Sequence, residues 1–89
     1  MRYQRTPRKC RPSQQIALGS AVREVRARRG ISQEELGFRS KLHRNYVGAI
    51  ERGEINPTFR ILMLLSRGLE LELSALVALY ERNAAEAGR

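Results

Sequence analysis

The 89-residue chain has no tryptophan, two phenylalanines, three tyrosines, one cysteine and one histidine. Cys10 alone cannot form an internal disulfide. With His43 the sole histidine, no Cys/His cluster has metal-ligand spacing, so neither a metal nor a cofactor is expected. The basic groups around Cys10 would make its thiol more acidic than usual, but an incidental thiol is the simpler reading. Also missing are a Ser/His/Asp or Cys/His set and a glycine-rich phosphate loop, and the acidic residues read as helix-surface groups. A chain of this length buries only about 60–65% of its unfolded surface, which leaves little room for an elaborate active-site cavity. The expectation is a protein that is not an enzyme.

No stretch approaches the roughly 20 apolar residues of a membrane helix. Residues 2–12 have the arginine content of a targeting peptide, but no apolar segment follows to serve as a signal-peptide core. A cytoplasmic protein without membrane partners is expected. Asn-Gly and Asp-Gly hairpin turns are absent and β-branched runs are few, whereas apolar residues recur at helical spacing nearly throughout. The expected fold class is all-α, a compact five-helix bundle with almost no sheet.

Positive charge is abundant. Seventeen Lys and Arg against nine acids give a net charge of +8, which suits a polyanionic partner. Residues 1–14 hold Arg2, Arg5, Arg8, Lys9 and Arg11 with no acid, so +5 of the excess sits there and +3 in residues 15–89. This division suggests a basic flexible tail over 1–14, a folded domain over 15–82 and a frayed, alanine-rich end over 83–89. Pro7 and Pro12 favour extended chain. The tail reads either as a solvated leader or as an arm that folds onto phosphates or into a minor groove.

Helical patterning starts near Gln15, where Leu18, Val22 and Val25 form a stripe with Ala21 beside it. Ser13 is a candidate N-cap, and Gly30 is placed to end this first helix in left-handed geometry. Ser32 followed by Glu35 is a capping-box pattern that starts a second, short helix, with Ile31 as its staple. Phe38-Arg39-Ser40-Lys41 lacks apolar periodicity and reads as a turn of about four residues. Beyond it Leu42, Val47 and Ile50 point one way on a third helix. Pro57 disfavours helix at Asn56, and Thr58 can cap a fourth helix from Phe59 to about Arg67 with Phe59, Leu62, Leu65 and Ser66 on one face. Leu69 and Leu71 bridge to a fifth helix capped by Ser74, with Leu76, Val77, Leu79 and Tyr80 apolar. Ile61, Met63, Leu64, Leu79 and Tyr80 exceed what such a bundle buries, which favours a homodimer with Ile61, Leu64, Leu79 and Tyr80 at its interface.

Two short helices around a turn form a helix-turn-helix, and the second is shaped for a DNA major groove. At 100° per residue, His43, Val47 and Ile50 share one side of it while Asn45, Ala49 and Arg52 lie opposite. Arg can pair with guanine O6/N7 and Asn with adenine N6/N7. Small Gly48 and Ala49 allow close approach, and Ala49 can touch a thymine methyl. Arg44 projects from the first turn. Tyr46 either packs on the second helix or gives its hydroxyl to a phosphate. His43 occupies the N-cap site as a modest cap or phosphate donor. Gln33, Thr58 and Arg60 lie at helix N-termini, where free N–H groups attract phosphates, with capping and solvation as the plainer alternative. Glu51 would oppose DNA electrostatically, so an internal ion pair with Arg26 is expected for it.

Ile31-Ser32-Gln33-Glu34-Glu35-Leu36, Ile50-Glu51-Arg52-Gly53 and Asn56-Pro57-Thr58 resemble the lambda Cro/CI-type (XRE) helix-turn-helix domain. The likeness runs from about Ile16 to Tyr80. Within that family, Arg44-Asn45-Tyr46-Val47 with Gly48-Ala49-Ile50-Glu51-Arg52 is similar to the controller proteins of restriction–modification systems. The resemblance implies a five-helix, lambda repressor-like bundle that binds double-stranded operator DNA as a dimer and regulates transcription, its own gene included. It also implies DNA contacts from Gln33, Arg44, Asn45, Ala49 and Arg52, and a structural Arg26–Glu51 pair. An antitoxin-like adaptor that grips a partner protein is the rival reading. Three departures from the family pattern stand out: Gly37 for alanine inside the second helix, Ser40-Lys41 for Leu-Gly at the turn, and Glu70 where glycine commonly follows the fourth helix.

Overall fold

The computed structural model describes residues 12–87. They form α1 (Pro12–Arg29), α2 (Gln33–Ser40), α3 (Arg44–Glu51), α4 (Phe59–Gly68) and α5 (Leu73–Ala87), with no strand among the described residues. The five-helix, all-α architecture is the expected one. α1 packs on α3 and α5, α2 on α3 and α4, and α4 on α5. Ala21, Val22 and Val25 of α1 meet Leu36, Val47, Ile50, Leu65, Leu69 and Leu76 in one core contributed by all five helices and the α4 terminus. Nine small or medium aliphatic side chains fill it without an aromatic ring.

Several boundaries differ from the sequence reading. α1 starts at Pro12, so residues 12–14 are helical and Ser13 lies inside the helix instead of capping it. Proline suits a first turn, where its missing N–H has no intrahelical partner to lose. The rest of the basic tail, with Cys10, lies outside the described residues. α5 begins at Leu73, one residue ahead of the expected Ser74 cap, with Glu72 carbonyl accepting from the N–H groups of Ala75 and Leu76. It continues to Ala87 where a frayed end was expected from 83 onward, because Asn83 Nδ2 donates to the Ala17 carbonyl at 3.2 Å and Arg82 Nη2 to Glu24 Oε1 at 2.7 Å. Phe59, expected on the core face of α4, is 66% exposed. The buried residues Leu65, Ser66 and Gly68 all fall in the second half of that helix, and Phe59 is its first residue.

The turn between α2 and α3 is Lys41-Leu42-His43, since Phe38–Ser40 complete α2. Lys41 adopts left-handed geometry (φ 60°), and its N–H donates to Phe38 carbonyl while that of Leu42 donates to Gly37 carbonyl. This double hydrogen bond is a Schellman motif, and α1, α3 and α4 end in the same way at Gly30, Gly53 and Glu70. The departures at positions 41 and 70 therefore leave the turn geometry intact and place side chains where glycine is favoured. Glu70 (φ 59°) is supported by Arg29, whose Nε and Nη2 donate to the carbonyls of Leu69 and Glu70, each at 2.8 Å. Gly37 also has a reason: a Cβ there would lie 2.5 Å from Leu42 carbonyl oxygen, so the returning chain leaves no room for alanine.

An L-residue in this region is disfavoured by about 1–2 kcal/mol, partly offset by the greater unfolded-state entropy of glycine. Lys41→Gly and Glu70→Gly should each raise stability by about 0.5–1 kcal/mol in chemical denaturation, and Gly37→Ala should lower it despite its better helix propensity.

Candidate nucleic-acid interface

The site begins with the caps that aim α2 and α3. Ser32 Oγ accepts from Glu35 N–H at 2.9 Å, the first half of the capping box. The second half is not used, as the Glu35 carboxylate instead accepts from Arg39 Nε at 2.9 Å. His43 is the α3 N-cap, with Nδ1 accepting from Asn45 N–H at 2.9 Å. That bond requires Nδ1 to be unprotonated. Thr58 caps α4, its Oγ1 accepting from Ile61 N–H at 3.2 Å.

Beneath the interface lies a polar cluster. Arg26 Nε donates to Glu51 Oε2 at 2.6 Å and Arg26 Nη2 to Glu51 Oε1 at 3.1 Å, so the guanidinium and carboxylate meet fork to fork. Gln33 Nε2 adds a third bond, to Glu51 Oε1 at 2.9 Å, and Arg26 Nη1 donates to Ile31 carbonyl at 2.9 Å. The Glu51 side chain is 1% exposed and that of Arg26 18%. The hydrogen bonds to Glu51 hold the Arg26 guanidinium above its ordinary pKa against the opposing effect of burial. One carboxylate thus joins α1, α2 and α3.

Above this cluster the expected residues separate into two groups. Arg44, Asn45 and Arg52 are exposed, as are His43, Thr58 and Arg60. Gln33, Tyr46 and Ala49 are half-buried, Gln33 being tied to Glu51 and Tyr46 packed against the core. Arg52 is not inside α3 but is its C-cap residue (φ −84°, ψ −2°). Its position sets its fork toward Glu54, with Nε–Oε2 at 2.8 Å and Nη2–Oε1 at 3.3 Å. These hydrogen bonds raise the Arg52 pKa and lower that of the Glu54 carboxyl. Arg44 Nη1 lies 3.7 Å from Glu34 Oε1.

Glu34 and Glu54 are the residues that sequence reasoning missed at this surface. Residues two apart do not face each other on a helix, so Arg52 and Glu54 give no pairing signal until α3 is known to end at Glu51. Of the four residues expected at a dimer interface, Ile61, Leu64, Leu79 and Tyr80, all are half-buried, and Ile61 and Leu79 pack partly on their own core. Tyr80 lines a cavity of about 300 Å³ with Leu18, Leu62 and Val77. Among the described residues no group of His, Cys, Asp and Glu is arranged to hold a metal, and no helix is long and apolar enough to cross a membrane.

The family model described as Helix-turn-helix matches residues 22–76, more than half of the chain. The chain belongs to this family. It is 38% identical over 60 residues to the control protein C.SmaI of Serratia marcescens, covering 67% of this chain and 71% of that protein. The structure of the restriction–modification controller protein C.AhdI from Aeromonas hydrophila superposes with a TM-score of 0.68 at 39% identity, covering 70% of this chain and 94% of that one. The controller protein C.Esp1396I, solved as a tetramer in complex with its natural 35 base-pair operator, gives a TM-score of 0.76 at 26% identity, covering 81% and 95%. The XRE-type helix-turn-helix resemblance is therefore sound, down to the controller proteins within it.

Removing one partner of a buried ion pair is far costlier than replacing both. Arg26→Met should destabilise the protein by about 3 kcal/mol, and adding Glu51→Leu should recover most of that loss in denaturant titrations.

Proposed function

We propose that this protein is a sequence-specific, DNA-binding transcriptional regulator that acts as a homodimer on an inverted-repeat operator, in the cytoplasm, and controls its own gene. The observation that carries the reading is the exposed set Arg44, Asn45 and Arg52, borne by α3 and its C-cap, on a helix locked from beneath by Glu51, Arg26 and Gln33. The rigid support matters because base discrimination depends on placing a donor fork to within a fraction of an ångström. Arg44 and Arg52 are suited to guanine and Asn45 to adenine, with Ala49 against a thymine methyl.

His43, Thr58 and Arg60, with the Tyr46 hydroxyl and the backbone N–H of Gln33 at the α2 N-terminus, fit phosphate contacts on either side of the groove, the Gln33 amide being taken by Glu51. In that role they fix register without reading bases. A single short helix offers few base contacts, so a second copy is needed for selectivity. Two-fold symmetry would put the two α3 helices in successive major grooves about 34 Å apart. Ile61, Leu64, Leu79 and Tyr80 would form the contact between copies. The operator complex of the related C.Esp1396I tetramer supports assembly on DNA. Membership of a family of DNA-binding regulators supports a role without enzymatic turnover.

Fluorescence anisotropy against the DNA upstream of its own gene, with a scrambled duplex as control, is the direct test. Tight binding that prefers the upstream duplex and weakens with salt is expected, and equal binding to both would count against it. Arg44→Ala and Asn45→Ala should each lose about 1–3 kcal/mol on the preferred duplex and relax one base pair. Deleting residues 1–11, which carry +5, should weaken binding to all sequences and flatten the salt dependence. Tyr80→Glu with Leu64→Glu should shift sedimentation equilibrium toward monomer.

A further inference from the structure

Arg52 does not present its guanidinium freely. Its Nε and Nη2 groups are held by the Glu54 carboxylate, with both side chains 57% exposed. The remaining Nη1 group lies over Gly48: a Cβ added there would sit 3.1 Å from Arg52 Nη1 and 3.4 Å from Gln33 Oε1. Arg52 is therefore bounded on one edge by a carboxylate and passes close over a glycine that leaves it room. The Gln33 amide beside it is itself fixed through Nε2 to Glu51.

A guanidinium has two edges that can make paired hydrogen bonds, one with Nε and one Nη, the other with both Nη groups. Glu54 occupies the first, while the second, whose Nη1 lies over Gly48, makes no hydrogen bond among the described residues. That second edge matches the O6 and N7 acceptors of guanine. The occupied edge is one that would otherwise grip a phosphate, and the Glu54 charge repels phosphate as well. We propose that Glu54 is a positioning residue that holds Arg52 in its base-reading orientation and withholds it from the DNA backbone, making Glu54 a determinant of sequence selectivity. This inference rests on the DNA-reading function proposed above. Glu34 stands near Arg44 at a looser 3.7 Å and is not needed for it.

The experiment uses the full chain and a duplex that the wild-type protein enriches from a random library. Its affinity is compared with that for a scrambled duplex for wild type, Glu54→Gln, Arg52→Ala and the double variant. Glu54→Gln should lower the ratio of the two affinities about tenfold, the size of one good guanine contact, with scrambled-duplex binding unchanged or tighter. In the Arg52→Ala background, Glu54→Gln should leave the ratio unaltered, because Glu54 acts through Arg52. A change of equal factor on both duplexes would overturn the positioning role and reduce Glu54 to a surface charge. If the wild-type protein enriches no sequence, base reading itself fails and the role of Glu54 fails with it, so the two failures are distinguishable.

Discussion

The Glu51 carboxylate dictates how the first three helices meet. It is almost fully removed from water, and a charge in that position is tolerated only when its lone pairs are matched by donors held in good geometry. Two come from Arg26 on α1 and one from Gln33 on α2, while Glu51 itself ends α3. Sliding any of the three helices would leave a buried charge unmatched. Gly19 tightens the same junction: its missing side chain lets α1 touch the Ile50 and Glu51 carbonyls, which would lie 2.3 and 2.6 Å from a Cβ. Backbone contact thus closes the α1–α3 junction beside the polar tie.

Rigidity below and charge above characterise the α3 surface of this small chain. α3 is only eight residues long and would not hold its shape alone in water. Its N-terminus is capped by His43, its C-terminus by the Gly53 Schellman motif, and its inner face by Val47, Ile50 and Glu51. What remains outside is Arg44, Asn45 and Arg52 with two acids nearby. Exposed ion pairs such as Arg52–Glu54 add little to stability.

Much of this arrangement was legible because its causes are local. Ser32, His43 and Thr58 each satisfy an N–H two or three residues away, and Gly30 marks a left-handed turn by composition alone. Lys41 and Glu70 adopt the same left-handed turns without that mark. The support for Glu70 comes from Arg29, 41 residues away, which no local pattern contains. Phe59 was misplaced for a related reason: periodicity identifies the apolar positions of α4 but not which half of the helix reaches a neighbour.

The order of residues decided the helix count, the N-caps of α2, α3 and α4 and the family of the domain, since hydrogen bonds to chain ends and apolar periodicity act over a few residues. Packing decided the rest: where α1 and α5 begin or end, that Gln33 reaches inward to Glu51, and that Arg52 lies beyond α3 under the hold of Glu54. Those features depend on desolvation and close backbone approach between segments distant in the chain, forces that exist only once the helices have met.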